Sequence, residues 1–149
     1  MAKAITGTKG MVRLYSGYDF RGIETTLEAE ARIYGGLWAV HHRLRGIESH
    51  WSAGVHGVNS QVYAYSPLWG DDYDITHIPT GMTVQAGMKR NVATALAKHL
   101  AQAVPDAPGA FGVVLPADAL RPVAAVVSQW WQEQRERECA TLPNTGLAR

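Results

Sequence analysis

Only one cysteine, Cys139, occurs in the 149 residues, so no disulfide framework can form within the chain and a reducing compartment suits it. Charge is sparse as well. Charged residues make up 18% and the formal net charge is +1, which excludes any overall attraction to nucleic acid or to an anionic membrane. Contact with either must come from a local patch. Long apolar runs are missing: none approaches the roughly 18 residues of a spanning helix. The stretch Met1–Gly10 lacks the apolar centre of a signal peptide. No membrane association and a cytoplasmic location are therefore expected. Leu142-Pro-Asn-Thr-Gly146 matches a cell-wall sorting pattern, but only Leu147-Ala-Arg149 follows it, and it reads as a chance match in a frayed tail.

Chemical signatures are equally thin. Walker loops, nucleophile elbows, dinucleotide fingerprints, H-E-x-x-H and paired C-x-x-C are all absent. The six histidines, at 41, 42, 50, 56, 77 and 99, follow no metal-ligand spacing. His41 and His42 are adjacent on a predicted strand and so face opposite ways. Asp71, Asp72 and Asp74 read as an acidic turn. No metal and no cofactor are expected.

What is present describes one domain, residues 1–149. With 46% hydrophobic residues it is rich enough in apolar side chains to bury a core. About 1–11 and 140–149 are expected to be flexible, with Val12–Tyr15 adding a short strand. Glu24–Tyr34 alternates strictly: Thr25, Leu27, Ala29, Ala31 and Ile33 face one side, and Glu24, Thr26, Glu28, Glu30, Arg32 and Tyr34 the other. That period of two predicts a strand with one buried and one wet face. Gly35-Gly36 marks a turn, and Leu37–Arg45 the returning strand. Residues 46–60 read as a loop, Gln61–Tyr65 as a short strand, and Pro67–Asp72 as a turn. A hairpin follows, with arms at 72–78 and 82–86 and the tip Ile78-Pro-Thr-Gly81. Helices are predicted over about 88–103 and 116–138. The first carries Val92, Ala95, Leu96, His99, Leu100 and Ala103 on one face. The second carries Leu120, Val123, Ala124, Val127, Trp130 and Trp131, with Pro116 at its start and Pro122 near it. Strands first and helices later give an α+β fold: an N-terminal antiparallel sheet of four to five strands, then two C-terminal helices packed on one face.

The stretches Leu37-Trp-Ala-Val-His-His42 and Tyr73-Asp-Ile-Thr-His-Ile-Pro-Thr-Gly81 resemble small accessory proteins of bacteriophages and prophages, which carry a W-x-V-T-H-x-P-T-G-like strand before an Ala-rich helix. The likeness spans about residues 35–104. The order of strands and helices is also similar to that of phage counter-defence sponges of the anti-Thoeris type, which trap nucleotide signals. The resemblance implies an accessory binding protein and assigns no catalytic residue.

Cation placement points the same way. Ala31–Ile47 and Ile75–Pro105 contain no acidic residue. Lys89 and Arg90 fall at a predicted helix start, where the partial charge is already positive and a bound anion would relieve them. Arg43 and Arg45 join them if the second strand lies near, and the aromatics Tyr34, Trp38, Trp51, Tyr63 and Tyr65 lie close in sequence. The expected ligand is an anionic small molecule, such as a nucleotide signal, or nucleic acid. Arg43, Arg45, Lys89 and Arg90 would meet phosphate, and His77, Thr80 and Asn91 would supply hydrogen bonds. A homodimer through Trp130 or Trp131 is the expected assembly. Two rival readings stand beside this: a protein–protein inhibitor or interaction module with exposed tryptophans as anchors, and a small histidine-dependent hydrolase.

Overall fold

The alternation at Glu24–Tyr34 forms one unbroken strand, the second of five. The computed structural model describes residues 5–18, 24–53 and 61–141, and their side chains except at 17, 18, 24, 25, 48–53, 61–66, 140 and 141. The elements are β1 (Thr8–Tyr18), β2 (Glu24–Tyr34), β3 (Trp38–Ala53), β4 (Gln61–His77), β5 (Met82–Met88), α1 (Arg90–Ala103) and α2 (Ala117–Thr141). The sheet is an antiparallel meander in the order β1-β2-β3-β4-β5. Two C-terminal helices follow it, so the α+β architecture is as the sequence predicts. No helix among the described residues is long and apolar enough to cross a membrane.

Both helices share one core with the sheet. Leu96 and Leu100 of α1 and Val123 and Trp130 of α2 are buried together with Tyr34, Trp38, Val40 and Ile75. The buried face of α1 is rotated from the expected one: it is Ala93, Leu96, Ala97, Leu100 and Ala101. Alanine at three of these five positions lets the helix axis approach the sheet closely. Ala101 sits where a side chain on Gly35 would stand, and Gly35, at φ +62, turns β2 into β3. Tyr34, read as facing water, is therefore covered by the helical layer. Val40, Ile75, Leu96 and Leu100 are buried, while Leu27, Ile33 and Val127 are half-buried.

Three stretches differ from expectation. β1 starts at Thr8, within the segment read as flexible, because it has Glu24–Tyr34 to pair with along its length. β3 continues to Ala53 and β4 begins at Gln61, so part of the expected loop 46–60 is a two-stranded ribbon, from Gly46↔Leu68 to Ala53↔Gln61. Residues 54–60, with His56, lie outside the described residues. The expected turn Pro67–Asp72 is strand as well. Between the pairs Leu44↔Trp69 and His42↔Tyr73, β4 carries Gly70, Asp71 and Asp72 against Arg43 alone. Such a bulge reads locally like a turn because its composition is that of one.

The feature that positions the site is a split in the sheet. β2 and β3 pair only at Tyr34↔Trp38, Ile33↔Ala39 and Arg32↔Val40. Beyond Val40 the β1–β2 ribbon peels away and bends. Tyr15, near the far end of that ribbon, donates its N–H to Gly81 O at 2.9 Å, which only a bent ribbon can do. The bend encloses a second, smaller core of Val12, Leu14, Ala29, Ala31 and Ala39, with Ile78 against it. Small side chains at 29, 31 and 39 make the close approach possible.

Candidate functional site

Where β2 leaves β3 there is an open cleft of about 610 Å³. Its walls come from β1 (Lys9, Met11), β2 (Glu30, Arg32, Tyr34), β3 (Val40, His41, His42), β4 (Tyr73) and the first turns of α1 (Arg90, Thr94). Three of these are strong cations and one is a carboxylate. Lys9 and Arg32 are direct cross-strand partners, an arrangement that strands ordinarily avoid. Among the described residues, no carboxylate oxygen lies within 4.0 Å of the charged nitrogens of Lys9, Arg32 or Arg90. Arg90 reaches the cleft because Met88 pairs with Tyr73 and the helix begins two residues later. Gly87, at φ +74, makes that exit, and its N–H donates to the buried Asp74 Oδ1 at 3.0 Å. Lys89 is the N-cap of α1. Its side chain makes no cap bond, and the first turn holds no acid, so the positive end of the helix stands uncompensated.

The aromatic wall is ordered. The His42 and Tyr73 rings stack at 4.4 Å with 30° between planes. His42 donates Nδ1–H to Gly70 O at 3.0 Å, which leaves Nε2 to accept from the Tyr73 hydroxyl at 3.3 Å. His41, behind it, is buried. Its Nδ1–H donates to His42 O at 2.7 Å, and its Nε2 accepts from Thr76 Oγ1 at 2.7 Å. Burial holds the His41 pKa below the ordinary imidazole value, although the His42 carbonyl contact and the Asp74 charge oppose this.

The residues singled out from sequence fall into separate groups. Lys89, Arg90 and Asn91 do stand at the helix start, and Asn91 lines a shallow hollow on α1 with Arg90, Thr94 and Lys98. Arg43 lies alongside Gly87, 3.2 Å from where a Cβ would be, so it is near that start. Its charge is shared, however. Arg43 and Arg45 both approach Asp72 from the bulge, at 4.0 and 3.9 Å. The four cations therefore do not form one unneutralised patch.

His77 and Thr80 lie at the other end of the β4–β5 hairpin, not beside Lys89 and Arg90. Each is only 1% exposed. The His77 Nε2–H donates to Ala107 O, and its Nδ1 accepts from Thr80 Oγ1 at 2.9 Å. The tip is tied down on every side: Ile78 N–H to Leu37 O, Gly112 N–H to Thr80 O, and the Phe111 ring over Gly81. Arg13 covers Phe111 in turn, 4.1 Å from its centroid. His77 and Thr80, expected to offer hydrogen bonds to a ligand, are instead spent on holding three segments together. Burial also lowers the His77 pKa, against the raising effect of the Ala107 carbonyl.

Trp130 is 7% exposed and belongs to the core of the single chain, edge-to-face with Trp131 at 5.0 Å. Only Trp131 remains half-buried, in a groove beside β5. No three His, Cys, Asp or Glu side chains among the described residues converge on a possible metal site.

Lys9, His42, Tyr73 and Thr94 were not foreseen as site residues. Arg32 carried a signal, since it lies in the acid-free stretch from Ala31 to Ile47. Lys9 carried none, because only its pairing with Arg32 brings it in. Comparison with protein-family models, with curated proteins and with solved structures finds no match to this chain.

Proposed function

We propose that this is a non-enzymatic binding protein that takes an anionic, nucleotide-type ligand in the cleft between β2 and β3. The observation that carries the reading is the convergence of Lys9, Arg32 and Arg90 on one cleft with an ordered His42–Tyr73 stack beside them. Cations meet phosphate, and a ring face meets a base. The volume of about 610 Å³ falls within the range of about 300–1,000 Å³ typical of small-molecule sites, which favours a nucleotide over a continuous nucleic-acid strand. Near-neutral net charge favours the same choice. The non-enzymatic part rests on how the histidines are used. His41, His42 and His77 each have both ring nitrogens engaged, so none is a free general base. The resemblance to phage accessory proteins extends this to a counter-defence role in which a nucleotide signal is sequestered.

Isothermal titration against ATP, NAD, cyclic dinucleotides and short single-stranded DNA tests the proposal. At least one nucleotide is expected to bind, and Arg32→Gln with Arg90→Gln to weaken it by about a hundredfold or more, as two charge-assisted bonds are lost. No binding at millimolar nucleotide, or binding indifferent to the double substitution, would reject it.

A further inference from the structure

The cleft does not end at His42. A second cavity of about 240 Å³ adjoins it, and Met11, Glu30 and His42 line both. β2 borders the two without a gap: Glu30 to Arg32 lines the first and Glu28 to Glu30 the second, where its register with β1 is regular. Together they form one trough along the edge of β2 that β3 leaves beyond the pair Arg32↔Val40. The chemistry changes along it. The strong cations Lys9, Arg32 and Arg90 stand in the first compartment. In the second, the charged side chains are Glu28 and Glu30, beside a Trp69 ring that is 39% exposed.

These carboxylates are not spent on the fold. Neither forms an ion pair with another side chain among the described residues. Glu28 faces Arg13 directly across the ladder, where opposite charges ordinarily pair, yet that guanidinium lies over the Phe111 ring instead. Charge is thus sorted along the ribbon, with cations grouped at one end and carboxylates at the other. Grouping like charges is unfavourable. A ligand with a negative end and a donor-bearing end relieves both groups at once. From Arg32 to Glu28 the strand advances about 14 Å, a span that an extended nucleotide covers once the side chains lean inward.

The donor pattern selects the base. An ionised carboxylate only accepts, through two oxygens side by side. Guanine presents N1–H and an N2 amine side by side on one edge and so makes two parallel bonds to it. Adenine and cytosine set an acceptor nitrogen beside their amino group, and uracil flanks its single N–H with two carbonyls. Each of these turns at least one acceptor towards the carboxylate, which is repulsive. His42 and Trp69 supply ring faces at the same place.

We propose that the trough is selective for guanine nucleotides, with phosphate at Lys9, Arg32 and Arg90 and the guanine edge read by Glu28 or Glu30. This rests on the nucleotide reading of the cleft and adds the identity of the base.

Isothermal titration of the full chain with GDP, IDP and ADP tests it. GDP should bind. IDP lacks the N2 amine and should bind about ten- to a hundredfold more weakly, and ADP more weakly still. Glu28→Gln together with Glu30→Gln, both at exposed positions, should bring GDP down to the affinity of ADP and leave ADP unchanged. Arg32→Gln should weaken GDP and ADP by the same factor and keep the preference. Equal affinity for GDP and ADP, IDP binding as tightly as GDP, or a preference that survives loss of both carboxylates would overturn the guanine assignment while the nucleotide reading stands. Absence of binding by all three at millimolar concentration would reject both.

Discussion

Replacing Arg32 by glutamine separates a ligand-binding role from a structural one, because the two predict opposite signs. Arg32 faces Lys9 directly across the β1–β2 ladder. At about 6 Å in water the repulsion is about 0.7 kcal/mol, and physiological salt reduces it to about 0.3 kcal/mol. Glutamine removes that repulsion and keeps the first carbons of the stem, which pack over Gly7. The folded state should therefore change by no more than about 0.5 kcal/mol, with gain favoured. Denaturant melts should show the midpoint unchanged or slightly raised. Ligand affinity should move the other way. One charge-assisted hydrogen bond is worth about 1.5–3 kcal/mol, so titration should report a loss of roughly ten- to a hundredfold. The parent's affinity should also fall more steeply with salt than the variant's. If Arg32→Gln destabilises the fold by more than about 2 kcal/mol, Arg32 is a packing residue and the case for a cation held for a ligand collapses. An unchanged affinity would remove it from the site.

Three further outcomes follow from the same geometry. His41 and His77 are kept neutral by burial, so below about pH 6.5 the unfolded chain takes up protons first. Stability present above that pH should drain as pH falls through the depressed folded-state values, by up to about 2.7 kcal/mol per pH unit while both titrate, and His77→Gln should flatten the profile in urea melts. Lys89→Ser puts a side-chain oxygen at an N-cap whose backbone, φ −66 and ψ 153, already suits one, and should raise stability by about 1 kcal/mol in the same assay. Gly81→Ala forces a residue with a Cβ to φ +70 against the Phe111 ring, and should cost at least about 1–3 kcal/mol; a neutral result would mean that the turn and the 104–116 segment separate readily.

The periodic parts of this chain were legible because period is a local property. Alternation at Glu24–Tyr34 and the 3, 4, 3 spacing around Leu96 and Leu100 each report how a segment meets its own core. The split between β2 and β3 was not legible. It depends on where cross-strand bonding stops, and nothing in the residues near Val40 announces that. Lys9 was missed for the same reason, since its place in the cleft is set by a partner on another strand. The tip Ile78–Gly81 has the composition of an exposed turn, and turn composition does not say what will be packed on top of it. Arg43 and Arg45 looked unneutralised because Asp72 is distant in sequence; the bulge brings it back.

The bond from Tyr15 to Gly81 has a consequence for the order of folding. The two residues lie about 65 positions apart, and closing a loop of that length costs about 4 kcal/mol of chain entropy before any contact repays it. The β3–β4 and β4–β5 pairings close much shorter loops and can form early. The small core of Val12, Leu14, Ala29, Ala31 and Ala39 cannot, because one of its walls is the completed β4–β5 turn. The N-terminal ribbon is thus expected to dock last and to leave first, so in stopped-flow refolding Leu14→Ala should speed unfolding while leaving the folding rate nearly unchanged. The cleft has Lys9 and Arg32 on that ribbon and His42, Tyr73 and Arg90 on the body, so it comes into being only at this final step. A ligand bridging the two parts would act as a clasp on the least firmly held portion of the molecule.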